Sequence, residues 1–178
     1  INKGFGLKYI LENIQMSLTK DYGTYIVKDG ITYMDEKIIE GLHMCTLEVY
    51  GGLKGKNRTL GSICHDAFYQ EDKTIENLAA YYLSRIVKGH PFSDGNKRTG
   101  FLTSVAFLGA NRMSYKIADE ELAAAEIATI AAARNMDQAY EYSKLFVEGH
   151  IDNPMYGGPY TEEKNEFTDS VEYILSGI

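Results

Sequence analysis

The chain has little of what would tie it to a membrane or to the outside of a cell. Cysteine occurs only at Cys45 and Cys64 in 178 residues, too few for the disulfide framework that small secreted domains rely on. No apolar run approaches the ~20 residues that a membrane span needs, because even the Ala-rich stretch from Leu122 to Ala133 is interrupted by Glu126. Nothing in the first thirty residues reads as a charged segment followed by an apolar one, as a secretory leader does. A reducing cytoplasm is therefore the expected location, with no membrane partner. Positive charge is also in deficit. Lys and Arg number 18 against 25 Asp and Glu, a net charge of −7, which works against whole-surface attraction to nucleic acid. Any anion site has to be local. Internal repeats and low-complexity tracts are absent as well. The chain begins at Ile1 rather than Met, as a chain trimmed at its N-terminus would.

What remains is the composition of an ordinary globular protein, with 44% apolar and 24% charged residues, and a length that suits one shared core. Its apolar spacing is helical nearly throughout. Leu7, Ile10, Leu11 and Ile14 follow the i, i+3, i+4, i+7 rule and predict a first helix ending near Ser17. A second is predicted from Asp35 and Glu36 through Ile38, Leu42 and Cys45 to Gly51-Gly52. Residues 51–73 carry four glycines and no sustained period, which predicts a loop with room for a short hairpin. The best amphipathic stripe, Ile75, Leu78, Ala79, Tyr82, Leu83 and Ile86, predicts a helix from Thr74 to Gly89. Pro91 and Gly95 interrupt it, and Phe101, Leu102, Val105 and Leu108 then predict a helix to about Asn111. Further helices are expected from Asp119 to about Arg134 and from Asp137 to Gly149. A last short stripe follows at Phe167, Val171, Ile174 and Leu175, after a segment holding Pro154, Gly157, Gly158 and Pro159. Six or seven helices make the expected fold class all-α and compact, with the tail helix either docked or loose.

The chemistry concentrates in His90-Pro91-Phe92-Ser93-Asp94-Gly95-Asn96-Lys97-Arg98, the loop between two predicted helices. A helix start offers free amide hydrogens and partial positive charge, so Gly95-Asn96 opening a helix is a ready anion site. Lys97 and Arg98 add two full charges. Glycine at position 95 lets successive amides converge on phosphate oxygens. Asp94 is an oxygen ligand of the kind Mg²⁺ takes when it bridges a carboxylate and phosphates. His90 is suited to accept a hydroxyl proton near neutral pH. Base, metal carboxylate and phosphate cradle thus fall within nine residues.

This string resembles the signature of the Fic/Doc (Fido) superfamily, His-x-Phe-x-(Asp/Glu)-Gly-Asn-(Gly/Lys)-Arg. Six fixed positions at about one in twenty each, over roughly 170 starting points, would match by chance a few times in a million. Leu42-His43 followed by Tyr50-Gly51-Gly52, and Ala79-Ala80-Tyr81-Tyr82, are similar to the sequence context of Doc-type members. The resemblance implies a catalytic core over residues 35–149; it does not place the flanks, which the apolar spacing makes an N-terminal helical extension (1–34) and a C-terminal tail with a short amphipathic helix (150–178). It implies a helix-loop-helix active site and a flap ahead of the motif that docks the target backbone, for which Lys54, Lys56 and Arg58 are the candidate residues. It implies ATP, or another nucleoside triphosphate, and Mg²⁺ as cofactors, and a hydroxyl of a protein as acceptor. In the family's terms His90 would be the catalytic base, Asp94 the metal ligand, Gly95, Asn96, Lys97 and Arg98 the phosphate-binding residues, and Phe92 a structural anchor in the core. Lys97 in place of glycine, and Phe101 where AMP-transferring members carry a second arginine, match the Doc branch. A toxin kinase that passes the γ-phosphate to a translation target resembling elongation factor Tu is the expectation, held in check by a separate antitoxin. Fic-type adenylyl transfer is the alternative, and Gly95 is the Fic-like choice at its position.

Blander readings stand beside these. His43 is expected to be a packing residue, and His65 and His150 show no partner pattern. Lys54, Lys56 and Arg58 read equally as a solvated loop. Gly51 to Lys56 is one residue short of a P-loop, and Asn57 stands where Ser or Thr is needed. Ordinary protein-kinase motifs are lacking. Thr168 to Glu172 and Thr32 to Glu36 each half-match the (Ser/Thr)-x-x-x-Glu-(Gly/Asn) segment with which Fic proteins silence themselves, and both are expected to be coincidental. A non-catalytic nucleotide-binding or partner-binding module and a DNA-binding helix pair are the remaining, weaker readings, the second disfavoured by charge.

Overall fold

The computed structural model describes residues 26–152 and 162–178, the side chains of 162–168 excepted. The first predicted helix and the Pro154–Pro159 segment lie outside the described residues. A hairpin of β1 (Ile26–Lys28) and β2 (Ile31–Tyr33) comes first, paired antiparallel with Ile26 opposite Tyr33. Helices α1 (Glu36–Tyr50) and α2 (Thr59–Asp66) follow, then a 3-10 turn, then α3 (Ile75–Gly89) and α4 (Asn96–Ala110). After β3 (Ser114–Tyr115) come α5 (Glu120–Ala131), α6 (Met136–His150), β4 (Ile151–Asp152) and α7 (Glu162–Gly177), with β3 and β4 paired antiparallel. The expected all-α class is what is found, with two very small sheets added.

Helix α3 is the central beam. Thr74 caps its start by accepting from the Asn77 amide, and the predicted stripe is buried from Leu78 to Ile86, with Ile75 half-buried, packed against α4 on one side and α6 on another. Each Leu or Ile so buried contributes about 1.5–3 kcal/mol. Helix α4 is buried on every face from Thr99 to Leu108, so its polar residues have to bond internally, which all but the Thr99 hydroxyl do among the described residues. Thr103 donates to the Thr99 carbonyl, Ser104 to that of Phe101, and the Tyr115 hydroxyl to Ser104. The two helices approach closely at Gly100, where a Cβ would lie 2.5 Å from Val87 Cγ2 and 3.3 Å from the Val87 backbone nitrogen. Only glycine fits that crossing.

Several boundaries differ from the sequence expectation. Residues 59–69 are not loop but α2 and the 3-10 turn. Leu60, Ile63 and Ala67 are its inward residues, too few in an eight-residue helix for a period to show, and Tyr81 secures its end by donating to the Ile63 carbonyl. The hairpin lies at Ile26–Tyr33, ahead of α1, rather than in the segment after Gly51. Asn135, not Asp137, caps α6, accepting from the Gln138 amide. The tail helix is docked: Val171, Ile174 and Leu175 are buried in the common core together with Tyr33 and Met34. Among the described residues no helix is long and apolar enough to cross a membrane.

Candidate active site

The motif loop hangs between the C-terminus of α3 and the N-terminus of α4, and its shape is set by one side chain. Asn96 accepts from the Phe92 amide through Oδ1 (3.0 Å) and donates to the Phe92 carbonyl through Nδ2 (2.9 Å). Those two bonds fix which way the amide faces, so it is Nδ2 that lies 3.1 Å from His90 Nδ1. An amide nitrogen only donates, so Nδ1 is the accepting ring nitrogen and the neutral imidazole carries its hydrogen on Nε2. His90 itself ends α3 in the left-handed region, at φ 50°, a costly conformation for a residue with a Cβ. Its carbonyl accepts from Asn57 Nδ2 at 3.1 Å.

The loop rests on α1. Phe92, 5% exposed, stacks face to face on the His43 ring with centroids 3.8 Å apart, and His43 Nε2 donates to the Asp94 carbonyl at 2.8 Å. Phe92 lies in the core beneath the loop. His43 is more than packing. It clamps the backbone that carries Asp94, while Thr46 donates to the His43 carbonyl one turn below. Asp94 is exposed. Its Oδ1 accepts from the Gly95 amide at 2.8 Å, its Oδ2 from the Leu53 amide at 3.3 Å. A carboxylate has about four acceptor sites, so both oxygens keep capacity for a cation. The residues fit Mg²⁺ held by one carboxylate, with phosphate and water completing its shell. Gly52 keeps the approach clear, since a Cβ there would stand 2.8 Å from Asp94 Oδ2. Among the described residues no three His, Cys, Asp or Glu side chains converge to hold a metal unaided.

Gly95 precedes α4 with φ 77°, and no side chain caps the helix start, which leaves the first-turn amides to a ligand. Lys97 and Arg98 stand half-buried in that turn. Arg98 is held by two other elements. Its guanidinium lies 4.4 Å from the centre of the Tyr50 ring, and Nε donates to the Leu175 carbonyl at 2.8 Å.

The flap, residues 51–58, is exposed along its length. It is no hairpin; it lies beside the motif loop through a single antiparallel bridge, Lys56 with Phe92. The Ser93 amide donates to the Gly55 carbonyl (2.9 Å) and the Asn57 amide to that of Pro91 (2.8 Å). Of the three basic residues singled out there, Lys56 is already engaged: its ammonium pairs with Glu36 at 3.3 Å and with Glu40 of α1, and the bond to Glu40 raises its pKa. Lys54 and Arg58 stay exposed. Of the two half-matches to the silencing segment, Thr32–Glu36 spans the end of β2 and the start of α1, and its Glu36 is spent on Lys56. Thr168–Glu172 lies on α7, whose last turn reaches Arg98.

His43, Tyr50, Asn57 and the Leu175 carbonyl are the site residues that sequence reasoning missed. Only His43 and Tyr50 had a signal, since both stand in the strings similar to the family context, and that signal carried no geometry. The Fic/DOC family model matches residues 33–108, from the end of β2 through nearly all of α4. A protein of Escherichia phage P1, "Protein kinase doc", is 30% identical over 111 residues, an alignment covering 56% of this chain and 88% of that protein. The chain belongs to the Fic/DOC family of transferases, and within it resembles the Doc branch.

Proposed function

We propose that the protein is a Doc-like toxin kinase that moves the γ-phosphate of ATP onto a hydroxyl of a target protein. The observation that supports this most is the Asn96 lock: one side chain holds His90, Phe92 and the start of α4 in a fixed relation. Phosphoryl transfer needs little covalent chemistry from a protein and much positioning of charge. On this reading Gly95, Asn96, Lys97 and Arg98 bind phosphate oxygens at the helix start. Asp94 would hold Mg²⁺, which supplies neutralisation of charge on those oxygens.

His90 takes the proton of the acceptor hydroxyl as its oxygen bonds to the γ-phosphorus, and the bond to the bridging oxygen breaks to release ADP. With Asn96 donating into Nδ1, that hydroxyl must displace the amide there, or the ring must turn, before a lone pair is free. Lys97 fills space that glycine would leave open and shifts positive charge along the phosphate chain, which favours presenting the terminal phosphate. The resemblance to the Doc branch supports a translation factor such as elongation factor Tu as target, a cytoplasmic setting and a separate antitoxin. Gly95 is the one motif position that favours the second reading, transfer of AMP.

The test is incubation of the full chain with bacterial lysate and ATP labelled at either the α or the γ position. Label from γ alone, abolished by His90→Ala, is expected. Label from α alone would replace the kinase reading with adenylyl transfer.

A further inference from the structure

The C-terminal helix lies outside the span matched by the family model, yet its end touches the motif. Leu175 and Arg98, 77 residues apart in sequence, are joined by a 2.8 Å bond from Nε to the backbone carbonyl. The last turn of a helix carries unsatisfied carbonyls and partial negative charge, which suits a guanidinium. The contact is anchored rather than casual, because Val171, Ile174 and Leu175 are fully buried. Two bonds from α7 to α5, Ser170 to Glu120 at 2.9 Å and Tyr173 to Glu121 at 3.0 Å, hold the rest of the helix.

The Tyr50 ring lies against the same guanidinium, whose carbon is 4.4 Å from the ring centre. Tyr50 is the last residue of α1, immediately before the flap glycines. Burial raises its phenol pKa, the Glu172 carboxylate adds to this, and Arg98 opposes it. An arginine has five N–H donors in a planar fork. Nε is bonded to Leu175 and Tyr50 lies against the guanidinium, while among the described residues neither terminal nitrogen has a hydrogen-bond partner.

We propose that Tyr50 and the last turn of α7 are positioning elements for Arg98, holding its guanidinium so that the two terminal nitrogens form a preset bidentate grip for a phosphate of the bound nucleotide. The catalytic unit then includes the C-terminal helix. This rests on reading Arg98 as a phosphate ligand, and the tests separate the two claims.

The first measurement needs no nucleotide. In an NMR spectrum of the arginine Nε–H groups, with the Arg98 signal assigned by Arg98→Lys, that signal should be ring-current shifted and slow to exchange. It should persist in Tyr50→Phe and lose its shift in Tyr50→Leu. A chain ending at residue 174 should lose its protection. The second measurement is calorimetric titration of the full chain with Mg²⁺ and ATP. Tyr50→Leu should weaken binding about fivefold and Tyr50→Phe by less than twofold, the range expected of a partly desolvated cation–π contact. The shortened chain should lose tenfold or more. Tyr50→Leu, at a half-buried position, keeps the test informative should the shortened chain not fold. An Arg98 signal that exchanges like that of a solvent-exposed arginine would overturn the proposal. So would unchanged affinity in Tyr50→Leu, or affinity or label transfer that rises when the last turn is removed, which would make α7 a brake. If the wild type binds no nucleotide, the phosphate reading of Arg98 fails, and the proposal of a nucleotide grip falls with it even where the Nε–H signal stays protected.

Discussion

The motif loop and the flap run side by side, joined by one bridge, and are built on opposite plans. The loop, residues 90–95, is closed from within by Asn96, stacked on His43 through Phe92 and clamped at the Asp94 carbonyl. Its anchors are buried side chains. The flap is held by backbone bonds to the loop, by Asn57 and by the exposed pairing of Lys56 with Glu36 and Glu40. Chemistry that depends on tenths of an ångström needs the first plan. An exposed segment that positions no reacting group tolerates the second.

Substitutions should divide along that line. Phe92→Ala removes the stacked anchor and should cost about 3–5 kcal/mol in denaturant unfolding, whereas Leu53→Ala, at a side chain 72% exposed on the flap, should stay within about 0.5 kcal/mol. Equal costs would erase the distinction. Next in size is Asn96→Ala, which leaves the buried Phe92 amide and carbonyl without partners and should cost about 2–3 kcal/mol. His43→Leu, which keeps bulk but not the donor, should cost about 1–2 kcal/mol and weaken Mg²⁺-dependent nucleotide binding more than it weakens folding, measured by titration beside unfolding. Lys56→Ala should leave the unfolding midpoint where it was and quicken amide exchange only within residues 51–58.

The smallest effect is expected at the flap's root. Cys64 lies on α2, just beyond the flap, and burial pushes its thiol up to about 12, with Glu36 adding to the shift. The thiolate is the reactive form, so alkylation at pH 8, followed by mass, should be slow in the wild type and equally slow in Lys56→Ala. Fast labelling of the variant would mean that flap motion reaches the helix.

Much of this was legible in the sequence because the informative residues are neighbours. Pro91 and Gly95 break a strong helical stripe, and the residues proposed for chemistry fall within one nine-residue string. Helix α2 was missed because two or three inward residues do not make a period, and four glycines nearby argued for loop. His43 and Leu175 were beyond reach for another reason. They meet the motif across 51 and 77 residues of chain, and nothing in residue spacing says which helix end will face which loop. Leu175 acts through its carbonyl, an atom every residue has.

The central claim is that the loop's geometry exists before any nucleotide arrives, while the flap is what adjusts. Residue-level hydrogen exchange of the full chain, with and without Mg²⁺ and ATP, tests it most directly. The amides of His90, Phe92 and Thr99, bonded to Ile86, Asn96 and Gly95, should exchange slowly in the free protein and change little on addition, while flap amides such as Gly52 and Lys54 exchange fast and then slow. A motif loop that exchanges as fast as the flap until nucleotide is added would contradict the account.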